Sequence, residues 1–249
     1  MLLKDKTAIV YGAGGAIGGA IARAFAREGA IVFLAGHTKT KLDKITRDVR
    51  ANGGSAEMAV VDALDEKAVD AYVDGVARQA GQIDISVNVI GLGDVQKPLT
   101  EISVEDFLQP ITHAMRTQFL TTRGAARHMI KRGSGVILHF GGDGPQTQPG
   151  LGGFKIALDA IEGLRRQWAV ELGPHGIRVV TLKTGGIPES IPATDPQREE
   201  IINNLLPSTL LKRAATLADV GNVAAWVASD QARTLTATEV SISCGAIID

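Results

Sequence analysis

Between the first apolar run of the chain and its first helical stretch stands Tyr11-Gly12-Ala13-Gly14-Gly15-Ala16-Ile17-Gly18. Glycine lets the backbone turn tightly and lets a bulky anion approach the main chain. A helix that begins straight afterwards presents free N–H groups and the positive end of its dipole. That combination suits a pyrophosphate. A strict GxGxxG register fails, because Ile17 occupies the last glycine's place. The spacing that fits is Gly12-x-x-x-Ala16-x-Gly18. A plain tight turn is the simpler account, but it leaves four glycines between a strand and an amphipathic helix without a purpose. Gly12, Gly14, Gly15, Ala16, Ile17 and Gly18 are therefore expected to hold a dinucleotide.

The end of the second apolar run, Leu34-Ala35-Gly36-His37-Thr38-Lys39, tells the two nicotinamide dinucleotides apart. NAD-preferring domains place a carboxylate there to grip the ribose 2′-OH. This segment has no acid, and His37, Thr38 and Lys39 could donate to a 2′-phosphate. NADP(H) is favoured over NAD(H). The plainer reading makes Lys39 and Lys41 a solvated helix start.

Other chemistries are disfavoured. The 249 residues carry 26 basic and 27 acidic side chains, a formal charge of −1, and no long basic run. The electrostatic footprint of a nucleic-acid binder is missing. Cys244 is the single cysteine, so disulfides and cysteine metal sites within one chain are excluded. His37, His113, His128, His139 and His175 show no HExxH-type pairing, and no metal site is expected. No run of about 18 apolar residues is present, so nothing is expected to span a membrane. The start, Met1-Leu2-Leu3-Lys4-Asp5-Lys6, has no apolar signal core, and the protein is read as cytoplasmic.

The elements that position these residues follow from periodicity. Apolar runs at Thr7–Tyr11, Ile31–Ala35, Met58–Val61 and Ile83–Ile90 alternate with helical faces. Those faces are Ile17/Ile21/Phe25, Leu42/Ile45/Val49 and Val69/Tyr72/Val73/Val76. The pattern βαβαβαβ predicts α/β architecture: a single doubly wound parallel sheet of Rossmann type, with helices on both faces. The second half continues with a helical region from Val104 to about Ile130, which Pro110 should bend or split. A strand at Val136–Phe140, a helix at Gly152–Leu172 and a strand at Ile177–Leu182 follow. Residues 185–210, rich in Pro, Gly, Ser and Asn, are expected to form a mobile lid. A helix at Leu217–Ser229 and a strand at Glu239–Ser243 complete the pattern. No linker divides it, and 1–249 reads as one dinucleotide-binding domain.

Over essentially the whole chain the sequence resembles the short-chain dehydrogenase/reductase family. That family's Thr-Gly-x-x-x-Gly-x-Gly loop is matched except at Tyr11 and Ala16. Its Asn-Asn-Ala-Gly segment is Asn88-Val89-Ile90-Gly91 here, and Asp62 matches the residue that meets the adenine. Glu171 to Val179 matches the family's entry to the sixth strand almost letter for letter. The resemblance implies that Asp62, Ala63, Asn88, Gly91 and Ile187 join the cofactor set.

The resemblance also implies where catalysis should sit. Carbonyl-reducing relatives use a Tyr as proton donor, a Lys that lowers its pKa, a Ser that orients substrate and an Asn that supports a water relay. Counting back from Glu171, with Gly163-Leu164 in register, puts the tyrosine position on Phe154 and the lysine position on Leu158. The serine position falls on Gly142 and the asparagine position on Ala114. None of the four can titrate. No shift of register recovers Tyr-x-x-x-Lys, since Leu151 precedes Lys155 by four and the tyrosines are Tyr11 and Tyr72. Losing one member of such a unit costs powers of ten in rate. The titratable groups expected near the cleft are Lys183, Asp143, His113, His139 and Lys155. Lys183, at a strand's carboxyl end, and Asp143 are the catalytic candidates, the plainer reading of each being a surface or loop residue.

Two functions fit. One is an NADP(H)-dependent oxidoreductase with altered chemistry on an unknown small molecule, for instance a reduction whose product anion is already stable. The other is a silent nucleotide-binding sensor, or the partner subunit of an active paralogue. The resemblance further implies a homo-oligomer, dimer or tetramer, built through the regions 104–130 and 152–172.

Overall fold

The computed structural model describes residues 1–141, 147–196 and 198–248. Seven parallel strands form one sheet: β1 (Thr7–Tyr11), β2 (Ile31–Gly36), β3 (Ser55–Val60), β4 (Ile85–Asn88), β5 (Gly135–Phe140), β6 (Ile177–Thr184) and β7 (Thr238–Ile242). Their order is β3-β2-β1-β4-β5-β6-β7. The helices are α1 (Ala16–Arg27), α2 (Lys39–Ala51), α3 (Glu66–Ala80), α4 (Val104–Arg132), α5 (Phe154–Leu172), α6 (Arg198–Ser208) and α7 (Leu217–Ala228). The chain reverses its direction of growth between β1 and β4. In open α/β sheets that switch point is where ligands bind.

Both faces of the sheet are covered, which is why its strands read as continuous apolar runs. Alternate residues go to opposite sides. Ala8, Val10, Val32, Leu34, Val180 and Leu182 pack with Ile21, Phe25, Val220 and Ala224. Ile9, Tyr11, Phe33 and Val179 pack with Val69, Val73, Leu120 and Met129. Helix starts are marked locally. Asp65 accepts from the amides of Lys67 (2.8 Å) and Ala68 (3.2 Å) at α3, and Thr216 and Asp219 form a capping box at α7.

Several boundaries differ from those read off the sequence. β3 begins at Ser55, not Met58, because the edge strand exposes polar residues that hide it from a hydrophobicity count. β4 is Ile85–Asn88, shorter than Ile83–Ile90. At its start the buried Asp84 carboxylate accepts the Thr7 amide at 2.7 Å, and at its end Asn88 Oδ1 accepts the Ile90 amide at 3.1 Å. Pro110 neither splits nor ends α4, which runs unbroken for 29 residues. The proline stands in the second turn, where its missing N–H frees one carbonyl, and its ring lies where Gly153 has no side chain. Residues 185–210 hold a 3₁₀ turn, Pro188–Ser190, and α6, whose first turn carries Glu199 and Glu200 to complement the helix dipole. Among the described residues no helix is long and apolar enough to cross a membrane.

Candidate functional site

Beyond the carboxyl ends of β1 and β4 lies a cavity of about 310 Å³. Two glycines are fixed by close approach. Gly12 has φ +76°, and a Cβ there would stand 2.6 Å from the Val89 carbonyl oxygen. A Cβ on Gly18 would stand 2.3 Å from the Gly12 oxygen. The loop therefore folds flat between β4 and the first turn of α1. No side chain caps α1, and no acid stands in its first turn. The amides at Ala16, Ile17 and Gly18 are thereby left to an anion, and the half-buried Gly14 and exposed Gly15 admit it. These features fit a pyrophosphate.

Gly12, Gly14, Gly15, His37, Thr38, Ala63 and Gly91 all line this cavity. Lys39 does not; its ammonium turns to Asp43 at 2.7 Å. Lys41 lines the wall in its place. Asp62 stands at the rim, its Oδ1 3.8 Å from His37 Nε2 and accepting the Leu64 amide at 2.9 Å. His113 completes the wall. Burial, and then the charge of His37, hold its imidazole below the ordinary value, against an opposing pull from Asp62. Asn88, 3% exposed, donates to Thr121 Oγ1 at 3.0 Å and so sets the turn that carries Gly91. Ile187 is buried just after β6.

The three described positions at which relatives would carry proton-transfer groups are brought together. Ala114 and Leu158 share one small apolar cluster with Ala157 and Ile161, and Phe154 packs against it. Gly142 and Asp143 lie outside the described residues. Lys155 pairs with Asp159 one turn along α5.

Lys183 sits deeper. It is 1% exposed, on the sheet face beneath α5, with its ammonium 2.9 Å from Glu239 Oε2. Arg165 Nε donates to Glu162 Oε2 at 2.8 Å in the same layer. Below them His139, Thr181 and Glu239 form a row across β5, β6 and β7. His139 is fully buried with Nε2 3.1 Å from Thr122 Oγ1; burial and then the Arg165 charge push its pKa down to about 3, so the ring stays neutral. Burial, and then a hydrogen bond with Glu239, raise the Glu162 carboxyl. Burial alone would raise Glu239 too, but the bond from Glu162 and the Lys183 ammonium carry it below the ordinary range. The sequence reading placed Lys183 and His139 near the cleft and missed this cluster. The signal was present: Glu162 and Arg165 follow Leu158 by four and seven, on the inward face of α5.

Residues 12–246 match the family model described as enoyl-(acyl carrier protein) reductase. The chain is 31% identical over 244 residues to an oxidoreductase of Sarocladium schorii, covering 98% of this chain and 96% of that protein. It is 27% identical to a 3-oxoacyl-[acyl-carrier-protein] reductase of Thermotoga maritima, covering 100% of both. Among solved structures, a 7α-hydroxysteroid dehydrogenase complexed with NADH and 7-oxo glycochenodeoxycholic acid superimposes with a TM-score of 0.89 at 27% identity. That match covers 99% of this chain and 96% of the other.

Proposed function

The chain belongs to the short-chain dehydrogenase/reductase family, and on that premise we propose that it is an NADP(H)-binding oxidoreductase that handles protons differently from the tyrosine–lysine pattern. One observation carries the cofactor reading. The cavity at the switch point joins the glycine loop to His37, Thr38 and Lys41, and no carboxylate is among its described lining residues. A 2′-phosphate there meets donors, and the nearest carboxylate, Asp62, stands at the rim. The similarity to a structure that holds NADH supports a nicotinamide nucleotide in this place. Such a nucleotide supplies or accepts a hydride at its nicotinamide.

The chain's own part is to bind, orient and exclude water. Gly12 and Gly18 keep the loop flat, the α1 amides take the pyrophosphate, and Asn88 fixes the turn beside the cleft. Phe154 offers substrate an apolar wall with no proton to give, and it packs against the buried Leu158 and Ala114. The reading is therefore a hydride transfer whose product anion is stable or takes its proton from water. We read 1–249 as one domain acting in the cytoplasm.

Exposed apolar surface on α4 and α5 supports assembly as a homo-oligomer. Phe119, 42% exposed, stacks on Trp168 with centroids 5.7 Å apart, and Arg123 covers its ring at 5.5 Å. Val170 and Ile156 add exposed apolar surface on α5. Sedimentation at micromolar concentration should give a dimer or tetramer mass; a monomer overturns that part.

Titration with NADPH and NADH, followed by nicotinamide fluorescence, tests the central claim. NADPH should bind about tenfold tighter or more. Equal affinities overturn the 2′-phosphate assignment, and no binding of either overturns the reading as a whole.

A further inference from the structure

A second cavity, of about 300 Å³, opens where β6 ends and α5 begins. Its size is at the lower end for small-molecule sites, which run roughly 300–1,000 Å³. Phe154 forms one wall, in the place where relatives would put the acid. Thr184, the last residue of β6, stands at one end of the 185–210 stretch, and Ser208, the last of α6, near the other. Thr147 and Gln148 approach from the loop before α5. The floor is closed by the chain's last turn: a Cβ on Gly185 would lie 2.6 Å from the Ala246 Cβ.

The chemistry of this lining is selective. Among the described lining residues none ionises. The polar groups are three hydroxyls and one carboxamide; the Ser208 hydroxyl already donates to the Leu205 carbonyl and is left to accept. From these residues a carboxylate or phosphate entering the cavity gains no counter-charge for the hydration it gives up. A neutral hydroxylated molecule trades its water contacts for the hydroxyls and the amide, and lays its C–H face on the Phe154 ring. We propose that this cavity takes a small, uncharged, hydroxyl-bearing ketone, aldehyde or alcohol, of the size of a monosaccharide or cyclic polyol. That a molecule bound here is also a substrate rests on the reading that a nicotinamide nucleotide fills the cleft at the switch point; the selectivity rests on the lining alone.

The test uses one carbon skeleton in three charge states: glucitol, gluconate and glucose 6-phosphate. Each is titrated calorimetrically into the full chain, with and without saturating NADPH. Glucitol should bind, with both anions weaker by about tenfold or more. Thr184→Val should weaken glucitol about fivefold, and Gln148→Leu, on an exposed loop, should do the same if the strand variant fails to fold. Either anion binding as tightly as glucitol overturns the proposal. So does the absence of glucitol binding in both conditions, or an unchanged affinity in a folded Thr184→Val protein. Nicotinamide fluorescence recorded alongside separates the two readings: glucitol binding without an NADPH signal leaves this proposal standing and removes the nucleotide.

Discussion

Replacing Lys183 by methionine removes one charge of a buried pair and strands the other. The ammonium lies 2.9 Å from Glu239 Oε2, with the lysine 1% and the glutamate 22% exposed. Removing one partner of a fully buried pair costs about 3–5 kcal/mol. Water reaching the glutamate brings this down to about 2–3 kcal/mol. For a chain of this length that lowers the melting temperature by roughly 4–12 °C. Glu239→Gln keeps a hydrogen-bond partner for Glu162 and removes the stranded charge. The double variant Lys183→Met/Glu239→Gln should therefore be more stable than Lys183→Met alone. The assay is urea unfolding of all four proteins at pH 7, with turnover measured on the folded samples. A loss below about 0.5 kcal/mol in Lys183→Met, or a double variant that loses the sum of the singles, refutes the reasoning. Loss of turnover without loss of stability would move the Lys183 ammonium into the cleft.

The Glu162 carboxyl is held above its ordinary value, so its contribution is full below about pH 4 and is lost as pH rises through the raised value, by at most about 1.4 kcal/mol per pH unit. Glu162→Gln mimics the protonated acid and should flatten that alkaline decline in denaturation series; parallel curves for the two proteins count against it. The acid decline should persist in the variant, because Glu239 is lowered and its contribution is lost as pH falls. Gly12→Ala places a side chain at φ +76° and 2.6 Å from the Val89 oxygen, so NADPH fluorescence titration should show a loss of at least about tenfold in affinity. Phe154→Tyr alone should raise carbonyl reduction by less than about tenfold, since Leu158 supplies no cation beside it; a gain of about a hundredfold refutes this.

Much of the architecture was legible because it rests on local chemistry. The run Thr7–Tyr11 is buried throughout because both faces of β1 are covered, and its glycine neighbours announce the turn. The edges were harder. Ser55 and Glu57 belong to β3 through pairing with β2, not through hydrophobicity. At the start of β4 the Asp84 carboxylate accepts the Thr7 amide, a contact that no local pattern encodes. In the cleft, spacing found the glycines, His37 and Thr38, but the choice between Lys39 and Lys41 depends on which way each leaves the first turn of α2. Lys183 was rightly placed near a strand end, yet its partner Glu239 stands 56 positions further on in the next strand. Only the fold brings the two together.

The buried charges beneath α5 also limit which side chains the neighbouring positions of that helix accept. Leu158 packs over Gly141, and Gly141 lies beside Lys183 across β5 and β6. A lysine placed at 158 would stand on the same helix face as Arg165 and above the same strand end as Lys183. Three cations would then share a space that now holds two. A lysine at 158 is thus penalised for as long as Lys183 stays, and is better tolerated once Lys183 is replaced.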